Sequence, residues 1–185
     1  MATWFTADTH IGHAGILSPH MHCQRGAHFR TIQEHDEALV ANWNAVVGED
    51  DEVWHLGDFA YKTSYEHARS VFNRLNGRKR LVRGNHEKLG VRLGWESQHD
   101  FAEVAVDGRH LVLFHYGMRV WPRQRRGALH LYGHSHGALP GCRQSLDVGV
   151  DAWGFRPVGL AEILARMATL PPAYQEGRDD EDEAA

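Results

Sequence analysis

Cysteine and long apolar stretches are both scarce in this sequence. Its two cysteines, Cys23 and Cys142, stand far apart without the paired spacing of a zinc knuckle or a redox motif, so we predict two free thiols. No apolar run is long enough to cross a bilayer, and no basic segment followed by an apolar stretch opens the chain. These absences argue against a disulfide scaffold and a membrane protein, and they predict a cytoplasmic protein without a membrane partner.

The negative charge of the chain is concentrated at its C-terminal end. The whole sequence has a formal net charge of −4. Residues 171–185 carry six acidic side chains and one arginine, a charge of −5, so residues 1–170 carry +1. Because the segment after Pro171 and Pro172 has too few apolar residues to bury, we predict a single domain, 1–170, and a disordered acidic tail, 171–185. Competition of the tail acids for a metal or a basic loop is the alternative interpretation.

Residue types that bind divalent metals recur along the chain in five short motifs. Most of the motifs follow a short apolar run, which predicts that strands deliver them to one edge of a sheet. The motifs are Asp8-Thr9-His10, Gly57-Asp58, Gly84-Asn85-His86, His115 and Gly133-His134-Ser135-His136. Two carboxylates, an amide oxygen and several imidazoles suit a pair of divalent transition ions better than a single zinc. The glycines that precede the ligands are expected to allow sharp backbone turns.

The spacing of apolar residues predicts an α/β fold with a mixed second half. Thr31-x-x-Glu34 and Thr63-x-x-Glu66 are capping boxes that open two helices. A third helix presents one apolar face, formed by Leu160, Ile163, Leu164 and Met167. Predicted strands cover residues 3–7, 53–56, 80–82, 101–106, 109–114, 129–132 and 145–150. The first three strands alternate with the two capped helices, which predicts parallel strands with ligands beyond their C-terminal ends.

The chemistry of a two-metal site explains why these residue types are needed. Two divalent ions close together repel each other, and a bridging carboxylate and a bridging hydroxide relieve that repulsion. Asp58 is our candidate for the bridge. In extended backbone, residues two apart point the same way, so we expect Asp8 to converge with His10, and His134 with His136. Such a centre keeps a charge of about +1, which favours a phosphate anion as substrate.

As a set, these motifs resemble those of the calcineurin-like metallophosphoesterases over about residues 3–160. The resemblance implies two facing mixed β-sheets flanked by helices, a four-layer αββα sandwich. It also implies two metal ions that share Asp58. One ion would be held by Asp8, His10, Asp58 and His136, and the other by Asp58, Asn85, His115 and His134. His86 matches the general acid, which protonates the leaving oxygen while the bridging hydroxide attacks phosphorus.

The resemblance extends to a subgroup and includes two departures. Asp147-Val148-Gly149-Val150-Asp151 and Arg156-Pro157 resemble a small bacterial and phage branch of the family. Glu87 follows the catalytic histidine, where the family usually has aspartate. Its carboxylate can still orient the His86 imidazole, whereas its longer arm predicts an altered geometry and a weaker acid. Gly117 stands where relatives often carry proline, which predicts a looser substrate loop.

Three further residues are predicted to contact the substrate. His13 follows His10 by three residues, and a packing role is the alternative. Arg25 would clamp a phosphate bidentately, and the resemblance includes an arginine near this position; an ordinary surface arginine is the alternative. Arg119 begins a basic loop, residues 119–126, whose four arginines and Trp121 would bind a nucleotide by charge and stacking. A solvated loop with a packed tryptophan is the alternative interpretation.

The sequence therefore predicts a metal-dependent hydrolase of phosphate esters, preferably of a nucleotide-like phosphodiester. Manganese is the expected metal, and iron, nickel, cobalt and zinc also accept this donor set. Because no serine or cysteine stands in a nucleophile motif, we expect direct attack on phosphorus without a phosphoenzyme. The alternatives left open are a phosphomonoesterase, a nuclease that holds single-stranded nucleic acid through the basic loop, and a non-catalytic metal-binding scaffold.

Overall fold

The computed structural model describes residues 1–174, which form two β-sheets and three α-helices. The helices are α1 (Ile32–Val46), α2 (Tyr65–Arg74) and α3 (Leu160–Ala168). The strands are β1 (Thr3–Thr6), β2 (Glu52–His55), β3 (Arg78–Val82), β4 (Ser97–His99), β5 (Ala102–Val106), β6 (Arg109–Leu113), β7 (Leu129–Tyr132), β8 (Ser145–Asp147) and β9 (Val158–Gly159). Within the described part of the chain, none of the helices has the length and apolar character needed to cross a membrane.

The first sheet has the strand order β4-β3-β2-β1-β9. Strands β1 to β4 are parallel, and β9 pairs with β1 in the antiparallel direction. Helices α1 and α2 connect the parallel strands, as the predicted β-α-β-α-β order requires. The hydroxyl of Thr31 accepts a hydrogen bond from the Glu34 backbone N–H at 3.1 Å, which caps α1 as predicted.

The second sheet has the strand order β5-β6-β7-β8. The hairpin of β5 and β6 is antiparallel, and its turn residues Asp107 (φ 48°) and Gly108 (φ 74°) both adopt the left-handed backbone that a two-residue hairpin turn requires. Strands β6, β7 and β8 then run parallel. The predicted hairpin and the predicted mixed character of the second half are both confirmed.

Apolar side chains fill the space between the two sheets. The core there includes Phe5, Leu56, Leu111, Leu113, Leu131 and Val148, together with Leu160, Ile163 and Met167 of α3. A second cluster, which includes Leu39, Trp43, Val71 and Phe72, joins α1 and α2 to the first sheet. Burial of these side chains from water fixes the order of the layers. The predicted fold of two facing mixed sheets flanked by helices is confirmed.

The two sheets meet at one edge. Ala7, just beyond β1, forms an isolated parallel bridge with Gly149, just beyond β8. The Ala7 carbonyl accepts a hydrogen bond from the Val150 N–H at 3.1 Å. The C-terminal ends of the parallel strands in both sheets therefore open onto the same region.

Several local predictions differ from the structure. Helix α2 is capped by Ser64, not Thr63, because the Ser64 hydroxyl accepts the His67 N–H at 3.1 Å. The strand predicted over 145–150 ends at Asp147, and the chain turns at residues 150–152. Strands β4 and β9 were not predicted, since they are two or three residues long and lack an apolar alternation.

The predicted acidic tail begins within the described residues. Pro171 O accepts a hydrogen bond from the Arg143 N–H at 2.9 Å, and Tyr174 O accepts one from Gln124 Nε2 at 2.6 Å. Residues 175–185 lie outside the described residues, so their predicted disorder stays a prediction.

The capping difference predicts unequal effects of two neighbouring substitutions. Replacement of Ser64 by alanine removes a hydrogen bond to the first turn of α2 and should lower the free energy of unfolding by about 1 kcal/mol. Thr63→Ala is the matched control and should cost less, because its hydroxyl does not cap the helix. Urea unfolding followed by circular dichroism measures both values. A larger loss for Thr63→Ala would show that the cap is misassigned.

Candidate metal centre and active site

The predicted metal ligands and the predicted general acid, His86, come from five loops that follow five strands. Asp8 and His10 follow β1, Asp58 follows β2, and Asn85 and His86 follow β3 in the first sheet; His115 follows β6, and His134 and His136 follow β7 in the second sheet. Since these strands end at the edge where the sheets meet, the loops converge there. The structure thus brings the predicted ligands from both halves of the chain to one place.

Asp58 occupies the centre of this cluster. Its Oδ2 lies 3.7 Å from His10 Nε2 and 3.7 Å from His115 Nε2, whereas its Oδ1 accepts the His86 backbone N–H at 2.8 Å. A distance of 3.7 Å is too long for a hydrogen bond. It suits two ligands of one ion, because bonds of about 2.0–2.2 Å place neighbouring donor atoms about 3–4 Å apart. One carboxylate oxygen therefore faces an imidazole from each sheet, which is the arrangement that a bridging ligand needs.

The first group of ligands contains donor atoms without partners. Ligand atoms of Asp8, His10 and His136 lie within 4.8 Å of one another, and the rings of His10 and His136 stack at 5.2 Å. Asp8 Oδ1 and both ring nitrogens of His10 are buried and have no hydrogen-bond partner. Buried polar atoms normally have partners, so these orphaned atoms fit a bound cation.

The second group of ligands surrounds His115. Its Nδ1 donates to the Leu56 carbonyl at 2.7 Å, and its Nε2 lies 3.0 Å from Asn85 Oδ1. Because burial lowers the pKa of His115, the ring is neutral and Nε2 carries a lone pair that faces the amide oxygen. Two acceptors so close together are stabilised by a shared cation. The His134 ring lies 5.1 Å from that of His115 and completes the group.

The backbone of the ligand loops is strained. Five predicted ligands have positive φ although they are not glycine: Asp8 (57°), His10 (49°), Asp58 (60°), His134 (65°) and His136 (48°). This conformation is uncommon and costs of order 1–3 kcal/mol per residue. Asp8 and His10 do converge, as expected. The expected reason, strand alternation, is wrong for this pair and for His134 and His136, since all four residues are left-handed and not extended.

The three glycines that precede ligands are Gly57, Gly84 and Gly133. Two of them allow ligand side chains to approach the backbone closely and do not produce the predicted sharp turn. Of these three glycines, only Gly57 has a positive φ, of 101°. A Cβ at Gly84 would lie 2.2 Å from Asp58 Oδ1, and one at Gly133 would lie 2.6 Å from Asp8 Oδ2. These two positions need glycine because the ligand carboxylates occupy the space of a side chain.

The electrostatics of the cluster favour a cation. Burial, with Asp147 and Asp58 nearby, raises the pKa of Asp8 well above its usual value. Burial also lowers the pKa of His10, so that its imidazole stays neutral and its lone pairs remain available. Arg25 offsets the charge of Asp8 only in part, because it forms no ion pair with that carboxylate, and divalent ions would supply the missing positive charge.

Comparison with known proteins identifies the family. The model of the calcineurin-like phosphoesterase superfamily domain matches residues 1–149, which include every predicted ligand. The chain belongs to this superfamily. An uncharacterised protein of Methanocaldococcus jannaschii is 29% identical over 169 residues, which cover 87% of this chain and 88% of that protein. The Gene 66 protein of Mycobacterium phage L5 is 31% identical, with 87% of this chain and 91% of that protein covered.

One solved structure supports the fold. A protein of unknown function from Aquifex aeolicus superposes with a TM-score of 0.68 at 21% sequence identity and covers 88% of this chain and 97% of that chain. The family assignment makes the chain a phosphoester hydrolase of a metal-dependent superfamily. The similarity to a phage protein agrees with the predicted small bacterial and phage branch.

Arg25 is buried beside the metal ligands of this phosphoesterase and donates hydrogen bonds to the loop that carries Asp8. Its side chain is fully buried and donates to both carboxylate oxygens of Asp151, at 2.8 and 2.7 Å, and to the carbonyls of Asp8 and Thr9. A guanidinium enclosed in this way is not free to clamp a substrate phosphate. The structure therefore does not place Arg25 at the predicted position, where it would clamp the substrate phosphate. Its burial is possible because the guanidinium pairs with Asp151.

Two aspartates that the sequence reasoning did not assign hold the last ligand loop. Asp151 Oδ2 lies 2.7 Å from His136 Nδ1, which leaves Nε2 of the ring for a metal. Asp147 accepts the Ser135 hydroxyl at 2.5 Å and the Gly137 N–H at 2.9 Å. The sequence did contain a signal for these two residues. The segment 147–151 resembles a branch of the family, but that resemblance assigned no role to its two acids.

Glu87 does not orient the His86 imidazole, in agreement with the altered geometry that its longer arm predicts. Its buried carboxylate accepts the backbone N–H groups of Asp58 at 2.9 Å and Phe59 at 3.1 Å, and burial raises its pKa to about 7. The longer side chain reaches past the histidine into the Asp58 loop. Tyr61 instead packs against His86, with 4.0 Å between ring centroids.

The other predicted substrate contacts lie in different surroundings. His13 is largely buried, packs edge-on against Tyr61 at 4.8 Å and lies 5.6 Å from the His10 ring. Burial and Lys62 lower the pKa of His13 to about 4, so it is neutral near pH 7. This placement agrees with the packing alternative, although the residue borders the metal cluster.

The basic loop 119–126 packs on the second sheet. Trp121 is buried against Val112 and Ala128, as in the alternative interpretation, and the Arg119 guanidinium lies 4.3 Å from the Tyr174 ring centroid. Within residues 1–174, Arg119 has no contact with a predicted ligand. The loop therefore gives little support to a nuclease that uses it to hold a strand.

The contact between Asp151 and His136 predicts a defect in metal binding. Asp151→Asn removes the charge that orients the imidazole and should weaken Mn²⁺ binding about 10–100-fold in isothermal titration of metal-stripped protein. His35→Gln is the control, because His35 contacts Arg25 at 3.0 Å but not His136. Wild-type affinity in Asp151→Asn would contradict the orienting role.

Proposed function

We propose that this chain is a two-metal phosphodiesterase that hydrolyses a nucleotide-like ester. The observation that carries the proposal is the position of Asp58 Oδ2, 3.7 Å from an imidazole of each sheet. A single ion would be shared by Asp58 and the imidazole of only one sheet, His10 or His115, and would leave the other imidazole unused. The orphaned donor atoms of Asp8 and His10 support an ion on one side, and the facing acceptors of Asn85 and His115 support one on the other.

The donor set limits the identity of the ions. Imidazoles, carboxylates and one amide oxygen suit manganese, iron, nickel, cobalt or zinc, and we take manganese as the working choice. When bound, the ions would supply a water nucleophile at neutral pH and polarise the phosphoryl oxygens. Asp8, His10, Asp58 and His136 would hold one ion, and Asp58, Asn85, His115 and His134 would hold the other.

His86 is proposed as the general acid. Its backbone N–H donates to Asp58 Oδ1, and its ring lies 5.9 Å from the His10 ring, so the imidazole stands beside the metal cluster. Packing against Tyr61 limits rotation of the His86 ring, a role that the sequence allowed for the carboxylate after the histidine. From this position it would donate a proton to the leaving oxygen.

Neither the thiol nor the hydroxyl beside the predicted ligands is an activated nucleophile. The Cys23 thiol lies within 4.8 Å of donor atoms of His136 and Asp151, but burial raises its pKa, so the thiol stays protonated. Ser135 stands between two ligands, but its hydroxyl donates to Asp147. Direct attack of water on phosphorus is therefore proposed. A cavity of about 440 Å³ adjoins His86 and would hold the second arm of a diester, which is why a diester is preferred over a monoester.

Hydrolysis of chromogenic esters tests this function. Metal-stripped protein reloaded with Mn²⁺ should hydrolyse bis(p-nitrophenyl) phosphate with a higher kcat/KM than p-nitrophenyl phosphate. His86→Ala should lower kcat about 10²–10⁴-fold through loss of acid catalysis. His110→Ala, a histidine on β6 that pairs with Glu103, is the matched control and should retain activity. Equal turnover with and without metal, or in His86→Ala, would contradict the proposal.

A further inference from the structure

The cavity beside His86 has one catalytic wall and one apolar wall. It lies between the loops that follow β2 and β3, and its volume is about 440 Å³. His86 and Asn85 line the side toward the metal cluster, and Ala60, Tyr61 and Leu89 line the apolar side. This is the size of pocket that holds a nucleoside-sized group.

Two lysines border the same cavity without an acidic partner. Lys62 and Lys88 are exposed, and neither forms an ion pair with a residue in the range 1–174. The chain has one other lysine, Lys79, whose ammonium donates to the Leu75 carbonyl at 2.6 Å and the Gly77 carbonyl at 2.9 Å. Lys62 and Lys88 are therefore available to an external anion.

The charge of the cavity is not balanced by its other lining residues. Among residues 1–174, no carboxylate lines it, whereas a neighbouring hollow that Lys88 also borders contains the ion pair of Arg83 and Asp100 at 3.0 Å. Lys62 is fixed in a left-handed backbone, with φ 49°, and its ammonium lies 5.2 Å from the Tyr61 ring centroid. The positive charge is thus located at the mouth of an apolar cavity.

The position of His86 relates this cavity to the reaction, and this step rests on the proposed function. A general acid stands next to the oxygen that leaves phosphorus. The leaving arm of a diester must therefore depart on the His86 side of the metal cluster. The cavity is the space that the structure provides on that side.

We propose that the cavity binds the leaving arm of the substrate and that this arm carries a second phosphate, paired with Lys62 and Lys88. The apolar wall would contact the body of the arm, and the two ammonium groups would bind its anion. The substrate class is thus a phosphodiester whose leaving alcohol is itself a phosphorylated nucleoside. A neutral leaving arm would leave both lysines without a partner.

Dinucleotides with and without a terminal phosphate test the proposal. For the Mn²⁺-loaded enzyme, kcat/KM should be higher for dithymidine monophosphate phosphorylated at either its 5′ or its 3′ end than for the unphosphorylated dinucleotide. Lys62→Ala and Lys88→Ala should each lower this preference about five- to tenfold. Arg69→Ala, which removes another exposed positive charge, from α2, should retain the preference.

The outcomes separate this inference from the proposed function. Turnover of bis(p-nitrophenyl) phosphate without any preference between the dinucleotides would overturn the inference and leave the phosphodiesterase intact. A preference that survives in both lysine variants would overturn it as well. Failure to hydrolyse any diester would contradict the proposed function itself.

A binding experiment tests the lysines without turnover. Pyridoxal 5′-phosphate with borohydride reduction labels accessible lysines, and mass spectrometry of peptides locates the label. We expect labelling at Lys62 or Lys88 to be suppressed by thymidine 3′,5′-bisphosphate but not by thymidine, with the amino group of the exposed Met1 as the internal reference. Equal labelling in the presence of the bisphosphate would overturn the proposal.

Discussion

Two buried carboxylates, those of Asp8 and Asp58, stand close together where the sheets meet, and no lysine or arginine among residues 1–174 forms an ion pair with either. Burial of unpaired charge is costly, as the raised pKa of Asp8 reflects. The imidazoles of His10 and His115 do not compensate, because burial lowers their pKa and favours the neutral ring. A bound cation resolves this conflict, and much of the architecture around the cluster can be understood as holding ligands in place for it.

The supporting residues act mainly on the backbone and on ring orientation. Glu87 accepts hydrogen bonds from two N–H groups of the Asp58 loop. Asp147 accepts hydrogen bonds from Ser135 and Gly137, the residues on either side of His136, and Asp151 orients His136. Arg25 joins Asp151 to the carbonyl of Asp8 and so connects the two sheets behind the ligands. These contacts are the means by which the fold maintains left-handed backbone at several ligands, a conformation that local sequence does not favour. The strain is thus located where the chemistry is proposed to occur.

The sequence was sufficient for the fold class and for the loops that carry the ligands, because apolar runs followed by metal-binding residues mark the C-terminal ends of buried strands. It was insufficient for β4, whose sequence Ser-Gln-His has no apolar alternation. The burial of Arg25 could not be predicted either, since its partner Asp151 lies 126 residues away. The left-handed backbone of Asp8 and His10 depends on tertiary contacts and not on local propensity. Pattern reasoning therefore identified the ligand residues, whereas the contacts that position them required the three-dimensional structure.

The central claim is that Asp58 is shared by two metal ions. A crystal structure of the Mn²⁺-loaded protein, with anomalous data collected at the manganese edge, tests this claim most directly. The account predicts two anomalous peaks per chain, one between Asp58 and His10 and one between Asp58 and His115. A single peak, or two peaks that Asp58 does not contact, would contradict it.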